Sequence, residues 1–276
     1  MIKVSKIFFA CLMAVLLVWQ IPSLYNTFVA ESVSTPFTLY SSVAGRFATL
    51  EHDEDKKMQY RDASGREYTE EQFDSILPTF YYRQLITDGR FPDTICGRAV
   101  TPRDIQLSNF NMRISPLDLN KPRLGIQQML ESMSGRVDLE LPDDVFRITE
   151  SGMEFVKMSA NTIDEAKSAS FTRMMQGKGF RFPAYRLSGN PTDRKEYDEG
   201  YVMLDAERKL FHVKQTVGRP YVRAIALPEG MIPEHLFITE FPSCKWLCFI
   251  SDTQGTFWVV ERDSYAVRPT GVPRFN

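Results

Sequence analysis

Tyr201-Val202-Met203-Leu204-Asp205-Ala206-Glu207-Arg208-Lys209-Leu210-Phe211-His212-Val213 sets an apolar run on either side of a short polar turn. Runs this short suit β-strands that pair through a tight turn better than a helix with one buried face. The pattern continues downstream. Residues 221–224, 236–241, 246–250 and 257–260 are further strand-sized apolar runs, and turn formers stand at Gly218-Arg219-Pro220 and Asp252-Thr253-Gln254-Gly255. Residues 201–267 are therefore expected to form an antiparallel meander central to the domain. Alternation along a strand puts Phe257 and Val259 on one face and Trp258 and Val260 on the other, so both faces need cover.

The turns carry a second signal. Asp62-Ala63-Ser64-Gly65, Thr149-Glu150-Ser151-Gly152 and Asp252-Thr253-Gln254-Gly255 each end in a glycine, which suits the left-handed residue of a short hairpin loop. Asp205-Ala206-Glu207-Arg208 fills the same place without the glycine. Asp205 and Asp252 stand 47 residues apart, and the apolar runs after them align as well; Gly65 and Gly152 stand 87 apart. Propeller blades recur at about 40–50 residues. The expected fold is mainly β with helical insertions (α+β), an antiparallel meander whose strictest form is an incomplete β-propeller-like array.

Four helices are expected between the strands. Thr69-Glu70-Glu71-Gln72 fits a capping box ahead of Phe73, Ile76, Leu77 and Phe80, with Pro78 set to kink or split that helix and Asp88-Gly89 to end it. Thr101-Pro102-Arg103-Asp104 opens a short helix with proline in its first position. Asn120 and Pro122 precede Ile126, Met129, Leu130 and Met133, spaced as one apolar helix face that Gly135 would stop. Thr162-Ile163-Asp164-Glu165 starts the last, which reaches Met174-Met175. Residues 47–136 thus read as helix-richer and 137–276 as β-richer.

At the N-terminus Lys3 and Lys6 precede an apolar stretch, and no charge follows until Glu31. A stretch of that length can cross a hydrocarbon core of about 30 Å. Residues 7–25 are read as a transmembrane anchor carried by Ile7, Phe8, Leu12, Val15, Leu16, Leu17 and Trp19, with Pro22 near its end. Trp19 and Tyr25 suit the far interface. A cleaved signal peptide and a lipoprotein lipidated at Cys11 are the rival readings, and the residues flanking the apolar core match their cleavage sites poorly. Positive charge stays in the cytoplasm. That makes residues 1–6 a cytoplasmic tail, 26–46 a stalk or first strand, and 47–276 an extracytoplasmic domain.

Thirty-three Lys and Arg against 35 Asp and Glu give a net charge of -2, which offers no basic excess to phosphates and speaks against nucleic acid as a partner. Metalloprotease, nucleophile-elbow and phosphate-loop motifs are missing from the sequence. His52, His212 and His235 stand apart and read as structural or surface residues. Cys244 and Cys248 lie too far apart on one strand for a mutual disulfide and their spacing is unsuited to a metal; a fold that brings one of them to Cys96 would allow that pair, and buried unpaired thiols are the default reading. His52-Asp53-Glu54-Asp55 and residues 193–199 read as solvated acidic loops. The methionines, and Phe80-Tyr81-Tyr82, read as core packing. No catalytic, cofactor-binding or metal-ligating residue is assigned.

Phe80-Tyr81-Tyr82-Arg83-Gln84-Leu85, Asp88-Gly89-Arg90-Phe91-Pro92-Asp93 and Leu130-Glu131-Ser132-Met133-Ser134-Gly135-Arg136-Val137-Asp138-Leu139 carry a resemblance, continued by Arg194-Lys195-Glu196-Tyr197-Asp198-Glu199-Gly200-Tyr201 and Gly218-Arg219-Pro220-Tyr221-Val222-Arg223-Ala224-Ile225. Together they resemble an uncharacterised family of Bacteroidetes membrane-anchored proteins, a domain of unknown function, over nearly the whole chain. The resemblance implies a bacterial inner-membrane setting with the main domain periplasmic, and ABC-transporter or other inner-membrane subunits as partners. It also implies a chain continuing beyond Asn276. The resulting expectation is a membrane-anchored accessory or sensing protein, with an extracytoplasmic hydrolase using unrecognised carboxylates as the alternative.

Overall fold

A computed structural model describes residues 2–29, 36–52, 57–108, 119, 124–133 and 138–272, which fall into two compact units. Met1–Leu39 and Ala48–Thr69 make the first; Tyr40–Phe47 and Glu70–Asn276 make the second. The chain is mainly β, with five small antiparallel sheets, few helices and one apolar N-terminal helix.

The N-terminal helix α1 spans Ile2–Val29 and is about 42 Å long at 1.5 Å per residue. It runs through Pro22 and four residues beyond 25. Val4–Val29 is long and apolar enough to cross a membrane, a property shared with signal sequences, and none of its apolar window is buried. Ile7, Phe8, Leu12, Val15, Leu16, Leu17 and Trp19 are all exposed on it. Strands β1 (Phe37–Ser41), β2 (Arg46–His52) and β3 (Met58–Asp62) follow as one sheet in that order.

In the second unit Pro78 separates α2 (Glu70–Ile76) from α3 (Tyr82–Thr87), which ends at Asp88 and a left-handed Gly89. A small hairpin, β4 (Thr94–Ile95) and β5 (Arg98–Ala99), leads to α4 (Pro102–Ser108). Proline opens α4, and Thr101 and Asp104 cap it reciprocally: Thr101 N–H donates to Asp104 Oδ2 at 3.0 Å and Asp104 N–H to Thr101 Oγ1 at 3.2 Å. Strands β6 (Asp144–Ile148), β7 (Met153–Lys157) and β8 (Thr162–Ile163) form a three-stranded sheet, and α5 (Glu165–Gly177) follows.

The meander forms as two sheets of four. β9 (Arg186–Gly189), β10 (Tyr201–Leu204), β11 (Leu210–Thr216) and β12 (Arg219–Ile225) pair in sequence order. So do β13 (Pro233–Ile238), β14 (Trp246–Asp252), β15 (Phe257–Glu261) and β16 (Val267–Pro269). Asp205 and Asp252 each close the turn between the second and third strands of their sheet, which is the physical content of the 47-residue spacing. No propeller ring is found among the described residues.

Alternation along β10 and β11 divides the core in two. Tyr201, Met203, Phe211 and Val213 face a cluster with Phe146, Phe155, Phe171 and Met175 from β6, β7 and α5. Val202, Leu204 and Leu210 face the other way, onto Leu236, Leu247, Ile250 and Val260 of the last sheet. All four residues of β10 are buried, which is why the run carries no polar alternation.

Three expectations are corrected. Residues 124–133 form no helix: Gln127 bridges Phe146 and Glu131 bridges Gln215, with Met129 and Leu130 buried side by side and Ile126 and Met133 exposed. Their extended backbone finds its partners across the sheets instead of along a helix; Asn120, Pro122 and Gly135 lie outside the described residues. The cap of α5 is Asp164, whose carboxylate accepts from Lys167 N–H at 3.0 Å, while Thr162 lies in β8. Gly152 is not left-handed. Thr149 Oγ1 accepts its N–H at 3.1 Å, and a Cβ there would come within 2.7 Å of the Thr172 hydroxyl, so close approach to α5 selects the glycine.

Candidate functional site

Residues 193–199 enter the protein instead of lying in solvent. Asp193 and Arg194 are exposed, but Asp198 and Glu199 are 4% and 1% exposed. Gly200 makes the descent possible: it is left-handed, and a Cβ would meet the Val213 carbonyl at 2.6 Å. Immediately before the buried strand β10, two neighbouring carboxylates are therefore aimed to opposite sides.

Asp198 faces Lys195. The Lys195 ammonium donates to Asp198 Oδ1 at 2.7 Å and to Glu240 Oε1 and Oε2 at 2.6 and 2.8 Å. Ser132 Oγ and Gly200 N–H donate to Asp198 Oδ2, and Glu199 N–H donates to Glu240 Oε1. Glu199 itself faces Lys214, at 2.8 Å, and the Nε of Arg262. Arg262 also lies over the Tyr197 ring, 5.2 Å from its centroid.

His212 completes the cluster from β11. A carbonyl only accepts, so the 2.6 Å contact with the Glu199 backbone oxygen places a proton on His212 Nε2. Nδ1 then accepts from the Tyr265 hydroxyl at 2.8 Å, and Tyr265 meets the Tyr221 hydroxyl at 3.2 Å. Burial pushes the His212 pKa down to about 4, which keeps the ring neutral near pH 7. Burial pushes the Glu199 carboxyl up, but Lys214, Arg262 and His212 together hold it below its ordinary value. For Glu240 burial prevails over Lys195, and its pKa is raised.

Asp198, Glu199 and Glu240 balance Lys195, Lys214 and Arg262, so the cluster is neutral as it stands. Its carboxylates and cations are spent on one another, as buried charges must be to survive desolvation. Loss of Lys195 would leave two buried carboxylates facing each other, a cost of about 3–5 kcal/mol for a buried pair broken on one side. The strands it joins belong to both four-stranded sheets. Among the described residues no three His, Cys, Asp or Glu side chains converge as metal ligands.

The opposite end of β10 is organised by a turn that occurs three times. In Asp62–Gly65, Asp205–Arg208 and Asp252–Gly255 the aspartate N–H bonds the carbonyl four residues on, and its carbonyl accepts the N–H three residues on. One carboxylate oxygen accepts the N–H groups two and four residues on. The second oxygen takes Tyr68 Oη in the first turn, Arg181 N–H in the second and Trp258 Nε1 in the third. In the first turn burial raises the Asp62 pKa, but Ser64, Tyr68 and Arg66 lower it to about 2. The fourth residue is left-handed throughout: Gly65, Arg208 and Gly255 have φ of 82°, 64° and 78°. Arg208 does this with a Cβ, at a cost of about 1–2 kcal/mol.

Arg208 stands over a groove of about 690 Å³ between the end of α5, the 205–208 turn and the segment after β12. Leu210, Phe211 and Ile225 are buried beneath it, and Leu227, Met231 and Ile232 line it. Lys178, Arg208 and Lys209 supply positive charge at its edge.

Of the residues singled out in the sequence, His212 lies in the ionic cluster, and so do Lys195, Asp198 and Glu199 of the 193–199 stretch, which the sequence pattern places in solvent. His235 stands on β13 and His52 at the exposed end of β2; Asp53, Glu54 and Asp55 lie outside the described residues. Cys11, Cys96, Cys244 and Cys248 are all unpaired. Glu240 and Arg262 carried no signal in the sequence, and the 193–199 stretch is corrected from a solvated loop to one whose Asp198 and Glu199 are buried. The local signal was an acidic pair followed by Gly200 and a wholly apolar strand. A comparison with curated proteins finds no match to this chain. The family model described as a domain of unknown function (DUF4857) matches residues 37–276. Since that match takes in both four-stranded sheets, the ionic cluster and the groove, the chain belongs to the DUF4857 family.

Proposed function

We propose that the chain is a membrane-anchored accessory or sensing protein, with its DUF4857 domain outside the cytoplasm of a bacterial inner membrane. The observation that carries this reading is α1: Val4–Val29 is apolar and unburied, and Lys3 and Lys6 are the basic residues at its start. A helix with so much apolar surface needs a non-aqueous surrounding. The converging carboxylates of the ionic cluster do not favour a hydrolase, because they lie beneath the sheet junction and are spent on Lys195, Lys214 and Arg262. An ABC-type transport complex is the partner suggested by the resemblance, and it is the finest point of the proposal.

Reporter fusions at Asn276 test the orientation, and co-purification of the full chain from native membranes tests the partner. An extracytoplasmic reporter signal together with stoichiometric integral-membrane subunits is expected. A cytoplasmic signal would refute the orientation, and recovery of the chain alone would refute the accessory role.

A further inference from the structure

The Asp205–Arg208 copy of the aspartate turn departs from the other two at the position where glycine is free and arginine is strained. That departure occurs where the turn forms the wall of the groove. The guanidinium is held in place: its Cζ lies 3.4 Å from the Tyr185 ring centroid and its Nη1 donates to the Pro233 carbonyl at 3.0 Å. Neither contact neutralises its charge. Among the described residues neither Arg208 nor Lys178 has an ion pair. The neighbouring carboxylate, Glu207, is occupied on both oxygens, by Arg181 at 3.0 Å and Lys209 at 2.8 Å. Within a chain of net charge -2 this edge is locally positive.

Beside those cations the surface turns apolar. Leu227 and Met231 are half-buried and Ile232 is 50% exposed. A volume near 690 Å³ is in the range of small-molecule sites, and a pre-positioned guanidinium is the group that fixes a carboxylate in such a site.

We infer that the groove binds a small organic carboxylate with an apolar body. The carboxylate meets Arg208 and Lys178, and the body lies on Leu227, Met231 and Ile232. This goes beyond the anchored-accessory reading and does not depend on the compartment or partner. The Tyr185 ring and the Pro233 carbonyl keep the guanidinium from swinging away.

The test uses the full chain in lipid nanodiscs, with empty nanodiscs as reference and 4-phenylbutyrate as the probe. Calorimetry should show saturable binding of 4-phenylbutyrate, and binding at least about ten-fold weaker for its amide and for acetate, since each lacks one half of the recognition. Arg208→Gly restores the residue of the sister turns, so its thermal midpoint should not fall while affinity drops by about ten-fold or more. Ile232→Glu leaves the turn untouched and should weaken binding by a similar factor, which keeps the test decisive if the arginine variant folds poorly. Binding of the amide as tight as the acid, no saturable binding at millimolar probe, or unchanged affinity in both variants would overturn the assignment.

Discussion

At the scale of single residues, His212 makes the clearest statement about conditions. Unfolded, its ring takes up a proton as pH falls through 6.5; folded, burial delays that to about 4. A depressed histidine pKa means that stability is full above the unfolded value and is lost as pH falls towards the folded one. Between pH 7 and pH 5 the loss amounts to about 2 kcal/mol. Glu199, held below its ordinary value, adds a loss only further down, in the carboxylate range, and Glu240, raised by burial, works in the opposite sense there. Urea denaturation of the detergent-solubilised chain at pH 7 and pH 5 should show the slope. His212→Gln, which retains a donor and an acceptor without the charge change, should flatten it. A wild-type profile already flat over that range, or an equal slope in the variant, would mean that His212 does not titrate as its surroundings require.

At the scale of elements, the strands were legible and the ionic cluster was not. Alternating or continuous apolar runs of four to seven residues have few solutions, so 201–204, 210–213 and 257–260 read as strands on their own evidence. Residues 124–133 misled because Ile126, Met129, Leu130 and Met133 keep helical spacing by coincidence, while Gln127 and Glu131 pair with distant strands. Cluster partners stand 45 positions apart for Lys195 and Glu240 and 63 for Glu199 and Arg262, distances over which sequence pattern carries no pairing information. The β11–β12 turn offers a test of local rules. Glu131 clamps it, accepting from Val217 N–H at 2.7 Å and Gly218 N–H at 2.8 Å. Val217 is left-handed, with φ of 51°, and 72% exposed. A β-branched residue there is strained where asparagine is not. Val217→Asn should therefore raise stability by about 1 kcal/mol in urea denaturation. A lower midpoint would show that the valine side chain contributes more than its exposure implies.

At the scale of the whole molecule, composition and α1 govern different things. The balanced charge and ordinary apolar content describe a folded domain and say nothing of its location. The location rests on one helix of 28 residues. A span of about 42 Å exceeds a hydrocarbon core of about 30 Å, which leaves length for tilt or for emergence on either side. The rival fate, cleavage as a signal sequence, begins with the same apolar run and differs in what remains. Intact mass and membrane extraction of one preparation separate the two most directly. An anchored protein stays in the membrane pellet after an alkaline carbonate wash and carries the full 31.8 kDa of the chain. A soluble protein whose mass lacks the N-terminal helix would contradict the anchor.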